Sequence, residues 1–240
     1  MNANINTAIT MGVLTEQIQM SSLRKASLVA GVLYLLTFVS IPTLVLYGSI
    51  HERNYIMGPG PDNPVIIGGI LEIIVALAGI GTAVVLYPVL KKQNQSTALS
   101  LVAARILESG TIFIGVACLF SVVTLRQAGP GEDALVTSHA LVALYDRIFL
   151  LGQSFMPAVN DFLLGLLLYQ SRLVPRSLAL IGMLGAVPLI AGYIAILFGL
   201  IGQHSLLAAL AALLVALFEF SLGIYFIVKG FKPSTVTANM

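Results

Sequence analysis

Charge is scarce in this chain, and so are cysteine and tryptophan. Among 240 residues 12 are basic and 10 acidic, a charged fraction of 9%, where an ordinary globular chain carries roughly 25%. A water-soluble fold cannot clothe its surface with so few charges, so a cytoplasmic globular enzyme is excluded. The single cysteine, Cys118, excludes an intrachain disulfide and any CxxC metal or redox motif. It stands in an apolar run, where a small filler is the expected role. Without tryptophan, the 8 tyrosines and 11 phenylalanines must supply any aromatic belt. No phosphate-cradling glycine loop with lysine, no GxGxxG after a strand and no GxSxG elbow is present, and no cofactor is expected. The basic residues pair at helix ends rather than striping with aromatics, so nucleic acid is not a partner.

What is present is apolar: 58% of residues, with mean hydropathy +0.99. Only a multi-pass membrane protein fits. Six apolar segments, 26–49, 65–90, 98–125, 141–170, 178–202 and 206–228, each meet the ~20-residue requirement for a helix crossing ~30 Å of hydrocarbon. The expected fold is therefore all-α, a polytopic six-helix transmembrane domain over residues 21–232, with the lipid bilayer as its main partner. Breakers separate the spans. Gly58-Pro59-Gly60-Pro61 and Gly129-Pro130-Gly131 interrupt two connections, and Pro64 starts the second helix where its missing donor costs nothing. Lys91-Lys92-Gln93-Asn94-Gln95 must turn outside the bilayer, and Gly202-Gln203-His204-Ser205 makes the last two helices a hairpin. Residues 1–20 lack the basic-then-apolar pattern of a signal peptide and read as a disordered cytoplasmic tail, with Met20 a second candidate start. Residues 233–240 read as a short cytoplasmic tail.

Orientation follows from the basic residues. With the N-terminus inside, the inner flanks hold Arg24, Lys25, Lys91, Lys92, Arg172, Arg176, Lys229 and Lys232, against Arg53 and Arg126 on outer connections. This bias predicts cytoplasmic termini and residence in the cell inner (plasma) membrane. Asn94-Gln95-Ser96 matches the glycosylation pattern but falls on the inner side, where it has no meaning.

Polar residues within the spans are the informative minority, because a lone charge at the bilayer centre is costly. Gly185, Gly192 and Gly199 recur every seventh residue and predict close approach of helix five to a neighbour. Pro157 and Pro188 are expected to kink their helices. Arg105 and Glu108 share a face of helix three, and Asp146, Gln153 and Asn160 recur every seven residues on helix four. At ~1.5 Å per residue, Arg105, Glu108, Asn160, Asp161 and Glu219 fall near one level, slightly inside mid-bilayer. Glu72, Asp146 and Arg147 fall near the outer boundary, where Arg147 is expected to pair with Glu72. In the inner layer Arg105 offsets Glu108 or Glu219. Such pairs can simply fix helix register, but three acids against one arginine call for protons or a cation as well.

Several of these stretches carry a likeness. Ser22-Leu23-Arg24-Lys25-Ala26, the run from Gly31 to Phe38, Leu71-Glu72, the run from Gly79 to Lys91, Arg105 to Glu108, Met156 to Asn160 and Tyr169 to Arg176 resemble the bacterial membrane family called domain of unknown function 4386 (DUF4386), over residues 21–235. The resemblance implies a multi-pass inner-membrane protein. It brings no activity, cofactor or partner onto Glu72, Arg105, Glu108, Asn160 or Arg172.

Three readings follow. In the first, Glu108, Asp161 and Glu219 form a site for a proton, cation or small polar ligand, with Arg105 as counter-charge and Gln153 and Asn160 as neutral hydrogen-bonding groups. In the second, His51, His139 and His204, all on the outer side, hold a metal for hydrolysis of an amphiphile, although no HExxH or other tight spacing enforces it. In the third the bundle is a non-catalytic scaffold. No repeat relates helices one to three with four to six, which weighs against a two-half carrier.

Overall fold

The computed structural model describes residues 22–52, 54–58, 60–129 and 131–238; the expected tail over 1–20 and the orientation residue Arg53 lie outside them. Among the described residues there are helices and turns and no strand. Six helices are long and apolar enough to cross a membrane: α1 (Ser22–Leu46), α2 (Asn63–Leu90), α3 (Gln95–Gln127), α4 (Asp133–Ser171), α5 (Arg176–Leu197) and α6 (Leu206–Val228). The protein is an integral membrane helical bundle. Its outward faces carry Leu44, Val45, Val187, Leu206 and Val228, all exposed, an arrangement suited to lipid and not to water.

Helix starts and stops have local causes. Pro64 occupies the first turn of α2, and the Asn94 side chain accepts from Thr97 N–H at 3.0 Å to cap α3. Ser205 does the same for α6, accepting from Ala208 N–H at 3.3 Å. In α1 the Pro42 ring denies the Phe38 carbonyl its usual partner four residues on. Residues Thr37–Ser40 tighten into a 3-10 turn instead, with Ile41 N–H on the Phe38 carbonyl at 3.2 Å. The same chemistry acts at Pro157, whose fourth predecessor is Gln153: the five residues Leu151–Phe155 widen into a π turn within α4. By contrast α5 runs uninterrupted through Pro188. It ends at Leu197, short of the expected 202, because Gly199 takes the left-handed conformation (φ 70°). Gly199 N–H then reaches the Ile196 carbonyl and Leu200 N–H the Ala195 carbonyl, at 3.0 and 2.9 Å, a Schellman closure.

Small residues set two helix crossings. On α5, Gly185 lies against the Leu214–Val215 backbone and Gly192 against Ala211, both on α6. Two of the three glycines in the seven-residue stripe thus serve close packing, while Gly199 serves the turn. On α1, a Cβ at Gly31 would stand 2.7 Å from the Gly223 carbonyl oxygen of α6. Arg24 reinforces this crossing by donating from Nη1 to the Phe226 carbonyl (2.9 Å) and from Nη2 to that of Ile227. Residues after α6 fold back: Lys232 N–H donates to the Leu173 carbonyl at 2.8 Å, and the turn Thr235–Ala238 buries Val236.

Two apolar plugs divide the interior. At the end holding Ser22 and Val228, Leu86, Leu101, Leu164, Leu168, Phe218 and Phe226 interlock. At the opposite end, which carries the histidines, Tyr47, Val65, Leu119, Val122 and Tyr145 do so. The polar residues of α3, α4 and α6 lie between.

Candidate functional site

Arg105 is the hub of that layer. One helical turn joins it to Glu108, to whose Oε2 its Nη1 donates at 3.0 Å. Its Nη2 donates to Glu219 Oε1 of α6 at 2.7 Å, and Asp161 Oδ1 of α4 lies 3.8 Å from the same nitrogen. Asn160 Nδ2 donates to Glu108 Oε2 at 2.7 Å. The guanidinium also stands over the Tyr34 ring of α1, 5.7 Å from its centroid, within 3.5 Å of the hydroxyl. Arg105 is 3% exposed, Glu108 7%, and Asn160 and Asp161 0%. Sequence reasoning brought together the α3, α4 and α6 members of this network. It missed Tyr34, which a helix of otherwise apolar character conceals.

The network is incomplete. Arg105 Nε and Asn160 Oδ1 have no hydrogen-bond partner, although buried polar atoms ordinarily find one, and Asp161 has only the Glu219 carboxyl and the more distant Arg105 beside it. Nor do the charges balance: one guanidinium faces three carboxyls.

A cavity of about 280 Å³ opens against this layer, with Arg105, Glu108, Ser109, Gln153 and Glu219 among its lining residues. Its remaining wall is largely apolar, including Phe38, Ile112, Leu189 and Val215. Phe38 and Phe220 meet edge to face, centroids 5.5 Å apart, between α1 and α6. The 3-10 turn of α1 and the π turn of α4 both border the cavity through Thr37, Phe38, Gln153 and Ser154. Proline thus interrupts regular helix on two sides of it.

Gln153 also reaches toward the histidine end, donating from Nε2 to Glu72 Oε1 at 3.3 Å. The Tyr145 hydroxyl donates to the same oxygen at 2.9 Å. The expected Glu72–Arg147 pair does not form. Tyr145 faces inward, and a residue two positions further along a helix points away from that face; Arg147 is accordingly exposed, whereas Glu72 is 1% exposed. The expected pairing fails on rotation about α4, which turns Arg147 away from Glu72. Among the described residues no ion pair holds Glu72, and its neighbours are the neutral groups of Tyr145, Gln153 and Tyr47.

Asp146 pairs with His51 instead, 3.0 Å from its Nε2, while His51 Nδ1 lies 2.8 Å from the Tyr47 carbonyl. The hydrogen bond that His51 donates to Asp146 raises the His51 pKa above its ordinary 6.5. Burial opposes the rise, and the Tyr47 carbonyl and the Asp146 charge add to it. His204 joins them, its ring centroid 6.2 Å from that of His51. His139 does not: it is exposed and lies seven residues before Asp146, about two turns or ~10 Å along α4. Among the described residues no group of three or more histidine, cysteine or acidic side chains could hold a metal ion. This disfavours the metal-dependent hydrolase, whose three histidines do not converge.

A further cluster was not read from the sequence. Arg126 donates to Asp62 Oδ1 at 2.6 Å and to the Gly58 and Gly60 carbonyls, with the Tyr55 ring 4.6 Å away. Gln127 and the Tyr55 hydroxyl complete the shell of Asp62. This arginine pins the connection between α1 and α2 onto the end of α3. Burial pushes the Asp62 pKa up, but hydrogen bonds from Gln127 and Tyr55, together with Arg126, leave it below the ordinary value.

The chain belongs to the family described as Domain of unknown function (DUF4386), whose model matches residues 29–230. No curated protein and no solved structure matches it.

Proposed function

We propose that this membrane protein binds a small cation in its central cavity, in exchange for protons, using Glu108 and Glu219 as the anionic groups. One observation carries this reading: two buried carboxyls, Glu108 and Asp161, and the part-buried Glu219 share a single guanidinium beside a cavity of about 280 Å³. Burying an uncompensated charge costs several kcal/mol, so the layer is neutral only when two positive charges join it. Protons or a bound cation supply them. Arg105 remains as the fixed counter-charge, Asp161 stands behind Glu219, and Asn160 orients Glu108. The apolar remainder of the wall favours organic monocations over strongly hydrated metal ions. We further place the end holding Ser22 and Val228 in the cytoplasm, because eight of the ten basic residues outside the spans' interiors flank that end.

The test is thermal unfolding of the purified protein in mild detergent with small primary and quaternary ammonium ions, against neutral alcohols and carboxylates of equal size. Ammonium ions alone should stabilise it, by ~2.7 kcal/mol at a hundredfold excess over Kd, and Glu219→Gln should abolish the effect. Equal shifts from neutral and cationic probes, or none from any, would leave the network as a device for fixing helix register.

A further inference from the structure

Beyond the central cavity, the histidine end holds a second one of about 280 Å³, a vestibule lined by Tyr47, His51, Tyr145, Asp146, Phe149 and His204 among others. Between the two lies a constriction with no volume for even a water molecule, walled by Glu72, Thr111, Ile112, Tyr145, Phe149 and Gln153. The three spaces share their walls in sequence. Tyr145 and Phe149 border both vestibule and constriction, and Ile112 and Gln153 border both constriction and central cavity.

The constriction is closed by polar groups. Tyr145 and Gln153 both donate to Glu72 Oε1, at 2.9 and 3.3 Å. The hydroxyl of Tyr47, just past the end of α1, faces the same carboxyl as a third polar neighbour. A purely structural plug needs none of this, since apolar residues seal the same level alongside without desolvating a carboxyl. One of the three closing residues also sits on a segment that can yield. Gln153 belongs to the π turn ahead of Pro157, and π turns are common where helices adjust at functional sites. Acidic groups stand on both sides of the constriction: Asp146 lines the vestibule, and Glu108 and Glu219 line the cavity. The basic groups along this line are His51, already paired with Asp146, and His204 in the vestibule, and Arg105 in the cavity, whose charge is held by Glu108 and Glu219.

We propose that Glu72, Tyr145 and Gln153 form the closed gate of a route from the histidine-lined vestibule to the central cavity, and that the route admits small cations. It rests on the cation-binding reading of that cavity. Opening breaks the two hydrogen bonds on Glu72 Oε1 and displaces the π turn. The freed carboxylate is then the counter-ion of the passing cation.

Cys118 is the only cysteine, so Cys118→Ser gives a thiol-free background, into which Ser109→Cys places a reporter on the central cavity wall. The probe is a membrane-impermeant methanethiosulfonate bearing a trimethylammonium group, added to either face of the protein in oriented vesicles. With the gate intact, labelling from the histidine face should be slow. Tyr145→Phe combined with Gln153→Ala should accelerate it at least tenfold from that face and leave the opposite face unchanged. An unchanged rate, or equal acceleration from both faces, would overturn the gate. Should the double variant fail to fold, Glu72→Gln keeps size and one acceptor oxygen. It should lower the ratio of cationic to anionic reagent labelling at least fivefold, and an unchanged ratio would overturn the proposal equally. Labelling requires no bound ligand, so it separates the gate from the ammonium-binding test: a gated reporter without ammonium stabilisation retires the cavity reading alone, and the converse retires the gate alone.

Discussion

Removing the Arg105 guanidinium should be the most damaging single change in the membrane interior. Arg105→Met keeps much of the volume of the buried stem and deletes the charge. It breaks the 3.0 Å bond to Glu108 and the 2.7 Å bond to Glu219. Each hydrogen bond to a charged group is worth ~1.5–3 kcal/mol, which gives ~3–6 kcal/mol for the two. The independent figure for breaking a buried ion pair by removing one partner is ~3–5 kcal/mol. The two ranges agree near ~4 kcal/mol, a large share of the ~5–15 kcal/mol that holds an ordinary fold together. Arg105→Lys should cost about half as much, since one ammonium cannot span both carboxylates with the fork of a guanidinium. The assay is reversible unfolding in mixed micelles. The same substitution is then made in a Glu108→Gln, Asp161→Asn, Glu219→Gln background, where the loss should fall below ~1.5 kcal/mol because no acid is left that needs a cation. An equal cost in both backgrounds would refute the reasoning, for Arg105 would then act through packing alone.

Other consequences can be measured separately. Gly31→Val should push α1 off the Gly223 carbonyl and cost ~1–3 kcal/mol by overpacking; Gly110→Ala, where an added Cβ meets nothing within 4 Å, should be neutral or slightly stabilising in the same unfolding assay. The His51–Asp146 pair should contribute stability in full below pH ~6.5 and lose it as pH rises through the raised His51 pKa, because the folded state holds the proton more tightly. Comparing Tm across pH 5–9 with that of Asp146→Asn checks this, and parallel profiles would contradict it. Asp62 runs the other way: its contribution should be present above pH ~4 and vanish as pH falls through its lowered pKa. Asp62→Asn should therefore flatten the acid limb of the same stability curve.

How much was legible before the structure depends on which physical constraint was acting. The bilayer demands ~20 apolar residues per crossing, so the six spans could be counted, with errors confined to their ends. α4 begins earlier than the expected 141 because residues from 132 onward are already helical. α5 stops early because Gly199 turns the chain. The cost of a charge in hydrocarbon singled out Arg105, Glu108, Asp161 and Glu219, and depth along each helix brought them to one level. Rotation about the helix was less legible. Arg147 follows the buried Tyr145 by two positions and faces away, and the π turn that carries Gln153 toward Glu72 has no sequence period of its own. Loop residues were least legible: His51 and His204 meet only because their connections fold over the same end of the bundle, and no spacing announces that His139 is left outside. The resemblance to DUF4386 agreed with the matched family and carried location without chemistry, so the chemistry had to come from the charge count.

The most direct measurement of that charge count is perfusion-induced infrared difference spectroscopy of the protein in lipid, with tetramethylammonium exchanged in and out at constant pH. If the cavity trades protons for a cation, ammonium should remove protonated-carboxyl absorbance and add carboxylate absorbance, and Glu219→Gln should diminish both bands. A spectrum without carboxyl bands on exchange, or bands that persist unchanged when Glu108 and Glu219 are both glutamine, would contradict the account.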